Sequence, residues 1–458
     1  MCRWQRPVAG APSLQQSLPL QRLSSSQSPL VAVADDKTLS HGDTCGGRHY
    51  IDRTAPRRPA LVIVVLPFAN LSNDPEQQYF ADGVTEDLTT DLSRLAHMLV
   101  ISRNSAFTYK DKPVNAKQID RELGVRYVLQ GSVQRSANQV RVNAQLIDAE
   151  ADTHLWAERF DRDMGDLFVL QNEITSRIAI ALNLKLIDVE AARRTDRPEA
   201  LDYIFQGRAA ILKPFSRDAY AEAISLFERA LRLDPQSVEA HSSLATTLAA
   251  RVLDGMTDAA AADIARAEAL ITQALAASPL DPRAHFAKGM VLRVQGRPEE
   301  AIPEFEAVLA ANHNSTEALF QLGWCKLMAG SIDEVIPLAE QLIRLSPRDP
   351  HIANRYSRIG YVYLLQSHIG DAVLWLEKAC NANPQVPGFH MLLASAYALE
   401  GETVRAAAEV AEARRLRGEG SYSSIARLRA GYWGVPKIRA LHEATYFAGL
   451  RKAGIPEE

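Results

Sequence analysis

Residues 282–311 read PRAHFAKGMVLRVQGRPEEAIPEFEAVLAA, and this stretch decides the fold of the C-terminal half of the chain. Gly289 stands within one helical pattern, Gly296 follows it, and Ala301 and Phe305 lie on a second helical pattern. Small residues let two helices approach closely, and an aromatic ring fills the gap to the next helix pair. The stretch therefore predicts two helices that pack together as a hairpin.

The same pattern recurs along the chain. A small residue in the first helix returns at spacings of 38, 44, 34, 37 and 34 residues, around the roughly 34-residue period of tetratricopeptide repeats. These residues are Gly207, Ala245, Gly289, Gly323, Gly360 and Ala394. Each hairpin leaves an apolar face that only stacking on its neighbours buries. The sequence thus predicts six tetratricopeptide-type hairpins over residues 198–418, and a C-terminal helical cap over residues 419–458.

Some positions depart from the repeat. A proline ends the second helix at Pro235, Pro279, Pro347 and Pro384. His313 and Gly418 stand at that place in the third and sixth hairpins, and the first two hairpins carry insertions at residues 213–215 and 252–262. We therefore expect the boundaries of the first, second and sixth hairpins to be the least regular.

The N-terminal half has a different period. A β-branched run at residues 61–66 is typical of a buried strand, and Asp74 with Pro75 predicts a helix start. Residues 98–102 and the alternating stretches 126–133, 139–147 and 153–160 predict further strands, before a helix from about residue 166. The sequence thus predicts an α/β domain at residues 59–192, a small mixed sheet with helices, followed by an all-α tetratricopeptide superhelix.

The remaining segments bear on localisation. Residues 1–58 are rich in Ser, Gln, Pro and Gly, which predicts an unstructured tail or linker, or else an atypical start of the chain. The apolar runs are too short for a membrane span, and the N-terminus lacks a continuous apolar core typical of a secretory signal. Four scattered cysteines without a CxxC pair fit a reducing compartment. We expect a cytoplasmic protein.

Four stretches resemble a known family. They are VLPFANLSNDPEQQYFADG (65–83), ISRNSAFTYK (101–110), ELGVRYVLQGSV (122–133) and HLWAERFDR (154–162). Together they resemble the TolB amino-terminal-like domain of proteobacterial signalling proteins, which tetratricopeptide repeats follow. The ending GLRKAGIPE (449–457) is similar to the tail of that group. The resemblance covers residues 61–458 and implies a sensory or scaffolding part of a signalling protein.

In that group the preceding module is commonly an adenylate/guanylate cyclase catalytic domain or a winged helix that binds DNA. Residues 1–58 are too few for a cyclase domain and lack its spaced metal-binding aspartates. They also lack a basic recognition helix, and a net charge of -4 gives no nucleic-acid footprint. The resemblance therefore implies no cyclase activity and no nucleic-acid binding for these residues.

The motifs of common enzymes are missing. The sequence has no GxxxxGK[ST], GxGxxG, GxSxG or HExxH pattern. Acidic residues do recur at helical spacing at Asp82, Glu86, Asp87 and Asp91. A metal site would need further ligands there, and a solvated helix face is the favoured interpretation. His241, His285 and His390 hold equivalent repeat positions, which indicates packing between paired helices. We predict no catalytic, cofactor-binding or metal-binding residues and no cofactor.

The candidate functional surface is the concave side of the array, which first helices line in tetratricopeptide folds. The repeat register places six apolar or aromatic residues along it: Phe286, Met290, Phe320, Trp324, Tyr361 and Met391. Such a stripe could hold a protein or peptide partner. The alternative is that the six residues pack against the next repeat or against the α/β domain.

These patterns predict a non-catalytic protein-interaction scaffold in bacterial signalling. Two alternatives stay open: a cyclase-related protein or subunit without its catalytic domain, and a transcriptional regulator without its DNA-binding domain. The sequence does not predict the partner or the oligomeric state.

Overall fold

A computed structural model describes residues 61–181 and 198–458, except for residues 73, 96, 97, 137, 215, 419–421 and 431–434. The tail predicted at residues 1–58 and the stretch between the two predicted domains lie outside the described residues. Within them, a mixed sheet with helices precedes a long series of helix pairs, as predicted.

The sheet has six strands in the order β3-β1-β4-β5-β6, with β2 paired to β4. The strands are β1 (Leu61–Val65), β2 (Ala69–Asn70), β3 (Met98–Val100), β4 (Tyr127–Ser136), β5 (Gln139–Asp148) and β6 (Thr153–Asp163). β1 runs parallel to β3 and β4, whereas β4, β5 and β6 form an antiparallel meander. The β-branched run of β1 therefore lies inside the sheet, between β3 and β4.

Four helices cover the sheet: α1 (Gln78–Ser93), α2 (Arg103–Ala106), α3 (Ala116–Leu123) and α4 (Leu167–Ala181). Leu88 of α1 and Leu170 of α4 are fully buried in one core, while Ile119 of α3 packs in the core on the opposite face. Asn115 caps α3 by accepting from the Gln118 N–H at 2.8 Å, and Gly124 ends it. The helix α2 was missed, because four residues are too few to show a period.

Among the described residues, twelve helices form six pairs. They are α5 (Pro198–Ile211) with α6 (Arg217–Leu233), α7 (Val238–Leu253) with α8 (Ala260–Ala277), α9 (Pro282–Val294) with α10 (Pro298–Ala311), α11 (Thr316–Ala329) with α12 (Val335–Leu345), α13 (Ile352–Leu365) with α14 (Ile369–Ala382), and α15 (Pro387–Glu400) with α16 (Thr403–Arg417). We call the first helix of each pair its A helix. Each A helix contains one of the six small residues that define the repeat.

Close packing explains the small residues. A Cβ added to Gly207 would lie 2.5 Å from the ring of Phe227, and one added to Gly289 would lie 2.7 Å from the ring of Phe305. Both rings are almost completely buried, so they could not move aside without opening the core. Gly296 ends its A helix with φ +73°, a left-handed conformation that suits glycine.

The chain ends with three short helices, α17 (Ile425–Ala430), α18 (Pro436–His442) and α19 (Ala448–Lys452). The last two are joined by a π-helical turn at Glu443–Phe447. We call residues 435–458 the C-terminal segment. Its elements pack against α11, α13 and α15, which are all A helices. None of the helices that the structure describes is both long and apolar enough to cross a lipid bilayer.

Candidate functional site

All six residues of the predicted groove lie on A helices. Phe286 and Met290 are on α9, Phe320 and Trp324 on α11, Tyr361 on α13 and Met391 on α15. Their exposure differs from that of an open apolar stripe. Three of them are buried, at 5% for Met290, 9% for Trp324 and 0% for Met391, and the other three are half-buried. The repeat register therefore places these residues on one face, but other parts of the chain cover much of that face.

The C-terminal segment covers the end of α11. The Val435 N–H donates to the Met328 carbonyl at 3.4 Å, and the Lys437 ammonium donates to the Gly330 carbonyl at 3.1 Å. Ile438 is fully buried in the same apolar cluster as Trp324. Trp324 is therefore part of a core between α11 and the C-terminal segment.

The same segment continues across α13 and α15. The hydroxyl of Tyr361 contacts Nε2 of His442, and the two rings meet edge to face with centroids 5.2 Å apart. Burial lowers the pKa of His442 to about 3, so this imidazole is neutral at physiological pH. Met391 packs with Phe447 and Leu450. Tyr361 and Met391 thus contact the chain's own C-terminal segment.

A different part of the A-helix face keeps partial exposure. The ring of Phe320 is half-buried and lies between two cations, with Arg355 Cζ 4.6 Å and Arg358 Cζ 4.2 Å from its centroid. Arg293 lies 4.3 Å from the centroid of Trp324. We call these three arginines the arginine cluster. Sequence periodicity identified the aromatic residues of this site but not the arginines, which are spread over two repeats.

The acidic group of α1 is not a solvated helix face, so that interpretation was wrong. Asp82 pairs with Lys110 at 2.7 Å, and Asp87 pairs with Arg208 of α5 at 2.8 Å. Burial raises the pKa of Asp91 to about 6. One sequence signal pointed this way: Asp82, Glu86 and Asp87 have no Lys or Arg one turn ahead to pair with, although Asp91 has Arg94.

The pairing extends into an ionic network between the α/β domain and the array, which is mostly shielded from water except at Arg283. Arg208 also contacts Glu239 at the start of α7, and Glu239 pairs with Arg283 of α9 at 2.8 Å. Burial alone would raise the pKa of Glu239, but Arg208 and Arg283 more than offset it and the pKa lies below its ordinary value. We call Asp87, Arg208, Glu239 and Arg283 the junction network. It ties α1 to three consecutive hairpins.

A second contact between the two domains uses loops that precede A helices. The Met98 carbonyl accepts from the Asn314 amide at 3.0 Å and lies 3.2 Å from Nε2 of His313. The Ser102 hydroxyl donates to the Ser346 hydroxyl at 2.6 Å, and the Ser102 N–H donates to the Leu345 carbonyl at 2.8 Å. The departure from proline at His313 therefore coincides with a contact between domains.

The three repeat histidines join paired helices, as predicted. Nδ1 of His285 lies 2.7 Å from a Glu304 oxygen, and its Nε2 lies 3.0 Å from the Pro279 carbonyl. His390 makes the same pair of contacts with Glu409 and the Pro384 carbonyl, at 2.6 and 2.9 Å. His241 lies 2.8 Å from Gln273 of its paired helix.

One of these histidines also belongs to a group with metal-ligand chemistry. The ligand atoms of Cys380, His390 and Glu409 lie within 4.8 Å of one another. Both ring nitrogens of His390 already contact oxygen atoms, and burial raises the pKa of the Cys380 thiol to about 12. Because His285 has the same contacts without a cysteine beside it, the arrangement is explained by helix packing alone.

The α/β domain carries a shallow depression of about 830 Å³ on one face of its sheet. Amide side chains of Gln130, Asn143 and Gln145 line it, with Lys110 and Glu158 among the charged residues. Its lining residues include no pair of neighbouring carboxylates of the kind used in general acid–base catalysis. The depression is a sheet surface that mixes these polar side chains with apolar ones such as Leu66 and Phe68.

Family models match three parts of the chain. Two models described as tetratricopeptide repeat match residues 254–316 and 292–359. A model described as HilA/YgeH-like transcriptional regulator, second domain, matches residues 60–177. The chain therefore contains tetratricopeptide repeats, and its α/β domain is similar to a domain of transcriptional regulators. The TolB resemblance stays a prediction.

A relative from Rhizobium meliloti (strain 1021), named "Putative adenylate cyclase 3", is 42% identical over 250 residues. The match covers 54% of this chain and spans only 42% of the length of that relative. Among solved structures, Pseudomonas aeruginosa pilF matches with a TM-score of 0.40 and 20% identity, over 48% of this chain and 94% of that one. PilW, a type IV pilus biogenesis factor, matches with a TM-score of 0.39 and 16% identity, over 47% and 93%.

Proposed function

We propose that this chain is a non-catalytic, cytoplasmic interaction module of a bacterial signalling protein, and that a protein partner binds the A-helix face of its array. The observation that carries the proposal is the half-buried face around Phe320, on consecutive A helices of tetratricopeptide repeats. Stacked repeats of this kind form extended concave surfaces that bind partners. Three helices in register offer a surface long enough for a peptide or helix. The groove is thus proposed for the part around Phe320, with Phe286 at its edge.

The site is tested by affinity capture. Full-length chain is immobilised, proteins from the source organism are captured, and each is quantified by mass spectrometry. Phe320→Ala removes the aromatic ring from the proposed face, and Leu374→Ala is the matched control because Leu374 is 49% exposed on α14, a second helix. We expect one partner to be lost about fivefold or more with Phe320→Ala and retained with Leu374→Ala.

Equal recovery by wild type and both variants would contradict this site. Circular dichroism melting of each variant shows whether it is folded. Trp324→Ala is a poor test variant, since the buried position of Trp324 means that its removal would open the core.

A second candidate is an enzyme role, supported by the 42% identity to the relative named as an adenylate cyclase. It predicts that the purified full-length chain forms cyclic AMP from ATP in the presence of Mg²⁺ or Mn²⁺. We expect no product above a no-protein control, because the described residues show no carboxylate pair beside a phosphate-binding loop. Product that increases with protein concentration would show that the chain is an enzyme.

A third candidate is a transcriptional regulator, supported by the HilA/YgeH-like match at residues 60–177. It predicts that the chain itself retards DNA in a gel-shift experiment at low salt. We expect no retardation, since the net charge is -4 and the arginine side chains of the junction network are paired with carboxylates. Sequence-specific retardation would overturn that expectation.

A further inference from the structure

The arginine cluster brings together three positive charges from the third and fifth hairpins, on either side of α11. Arg293 comes from α9, and Arg355 and Arg358 come from α13. They surround two aromatic side chains of α11, the helix between them. Guanidinium groups stack favourably on aromatic faces, and this stacking holds them in position.

Within this cluster, the charge of Arg355 is balanced by a carboxylate, whereas that of Arg358 is not balanced by any ion pair among the described residues. Arg355 pairs with Asp349 at 3.3 Å. Arg358 donates to the Phe320 carbonyl at 2.9 Å, and no carboxylate among the described residues forms an ion pair with it. Shielding from water, together with the neighbouring charges of Arg355 and Arg293, lowers the pKa of Arg358 to about 9. Its positive charge is therefore held at a cost in stability.

The local packing leaves room for Arg358. In the fourth hairpin the position that holds Phe305 in the third is Ala339. A Cβ added to Gly323 would meet nothing closer than Arg358 Nη1 at 3.6 Å, whereas the glycines of the first and third hairpins are in tight contact with rings. The glycine of the fourth hairpin thus borders the arginine and not an aromatic ring.

We propose that the arginine cluster binds carboxylate side chains of an acidic segment of a protein partner, lying across α9, α11 and α13. This inference rests on the proposed function of the array and names the chemistry of its partner. Arg358 is half-buried, and its guanidinium has the geometry to pair with an incoming carboxylate through two parallel hydrogen bonds. The exposed part of the Phe320 ring contacts the apolar stems or neighbours of those carboxylates.

The test measures fluorescence anisotropy of a labelled peptide of alternating Glu and Leu with the full-length protein. A length of about ten residues suffices to cross three helices spaced about 10 Å apart. Matched peptides with Gln or Lys in place of Glu are the ligand controls. We expect saturable binding of the Glu peptide alone, and weaker binding as salt is raised.

Arg358→Met removes the charge with a side chain of similar length, and Arg358→Gln is a second variant at the same position. Arg297→Gln is the matched control, since Arg297 is exposed and pairs with Glu300 outside the cluster. We expect affinity for the Glu peptide to fall about tenfold or more in the Arg358 variants and to stay unchanged in the control. Because the charge of Arg358 is unbalanced, the melting temperature of Arg358→Met should equal or exceed that of the wild type.

Several results would overturn the inference. They are unchanged affinity in a folded Arg358 variant, unfolding of both Arg358 variants, equal binding of the Lys peptide, or displacement of the Glu peptide by single-stranded DNA or inorganic phosphate at equal or lower concentration. The result also separates the two proposals. Suppose that Phe320→Ala loses the captured partner while the Arg358 variants keep their affinity for the Glu peptide. The proposed binding face around Phe320 would then be supported, and the proposal of an acidic partner would be rejected.

Discussion

The array contains two groups of arginine side chains that differ in how their charge is balanced. In the junction network, Arg208 contacts both Asp87 and Glu239, and Arg283 contacts both Glu239 and Asp281. In the arginine cluster, Arg355 pairs with Asp349, whereas Arg358 forms no ion pair with any carboxylate among the described residues. The junction network joins two domains of the same chain, whereas the arginine cluster lies on a partly exposed face.

The comparison distinguishes arginines whose charge stabilises contacts within the chain from an arginine whose charge could still pair with a ligand. A buried ion pair is compensated within the chain, so removing one partner leaves the other stranded. An uncompensated arginine has little to lose on removal, and it gains most when an anion arrives from outside. The predictions below change one side of this comparison at a time.

The largest effect is expected from Arg208→Met in the junction network. The substitution leaves Asp87 and Glu239 without their shared cation, in a place where side-chain exposure is 17% and 10%. We expect the free energy of unfolding to fall by about 3–5 kcal/mol. Urea denaturation measures it, with exposed Arg297→Gln as a control that changes stability by about 0.5 kcal/mol or less. A loss no larger than that of the control would show that the network is not structural.

Next in size is a matched pair of glycine substitutions. Gly289→Ala forces a methyl group to within 2.7 Å of the Phe305 ring, so we expect the free energy of unfolding to fall by roughly 1–3 kcal/mol. Gly323→Ala meets no close atom and should leave stability unchanged or raise it by up to about 1 kcal/mol. Urea denaturation of both variants checks the comparison. Equal losses would mean that the fourth hairpin is packed as tightly as the third.

A pH-dependent effect is expected at Asp91, beside the junction network. Its folded pKa of about 6 lies above the ordinary value of 3.8, because burial disfavours the carboxylate. The folded state therefore binds this proton more tightly than the unfolded state, and stability falls as pH rises from about 4 to about 6.

Asp91→Asn removes the cost of burying an ionised carboxylate. It should therefore raise the free energy of unfolding by about 1–2 kcal/mol at pH 8 and leave it unchanged below about pH 4. Urea denaturation of wild type and variant at several pH values measures the difference. A gain of equal size at all pH values would show that the effect is not the titration of Asp91.

Much of the fold could be predicted because its signals are local. Asn115 and Gly124 bound a helix through the hydrogen-bonding and conformational preferences of single residues. The contact of Gly289 with Phe305 recurs in register as that of Gly207 with Phe227, because the two hairpins pack their helices in the same way. The four-residue helix α2 is too short to show a period, so no sequence pattern predicted it.

The candidate site was predicted only in part. Register placed Trp324, Tyr361 and Met391 on the A-helix face, but their cover consists of residues such as Ile438, His442 and Leu450. These lie far along the chain, where no local pattern indicates what they pack against. The acidic residues of α1 were interpreted as a solvated face because the partner of Asp87 also lies far along the chain, 121 positions away.

By itself the sequence determined the repeat, the two kinds of architecture and the absence of common catalytic motifs, since each depends on residue type and spacing along the chain. Only the tertiary structure decided which surfaces stay open. It paired Asp87 of α1 with the array, laid the C-terminal segment over α11, α13 and α15, and left Arg358 without a carboxylate partner among the described residues. Those outcomes depend on desolvation and on contacts between distant residues, which arise only when the chain has folded.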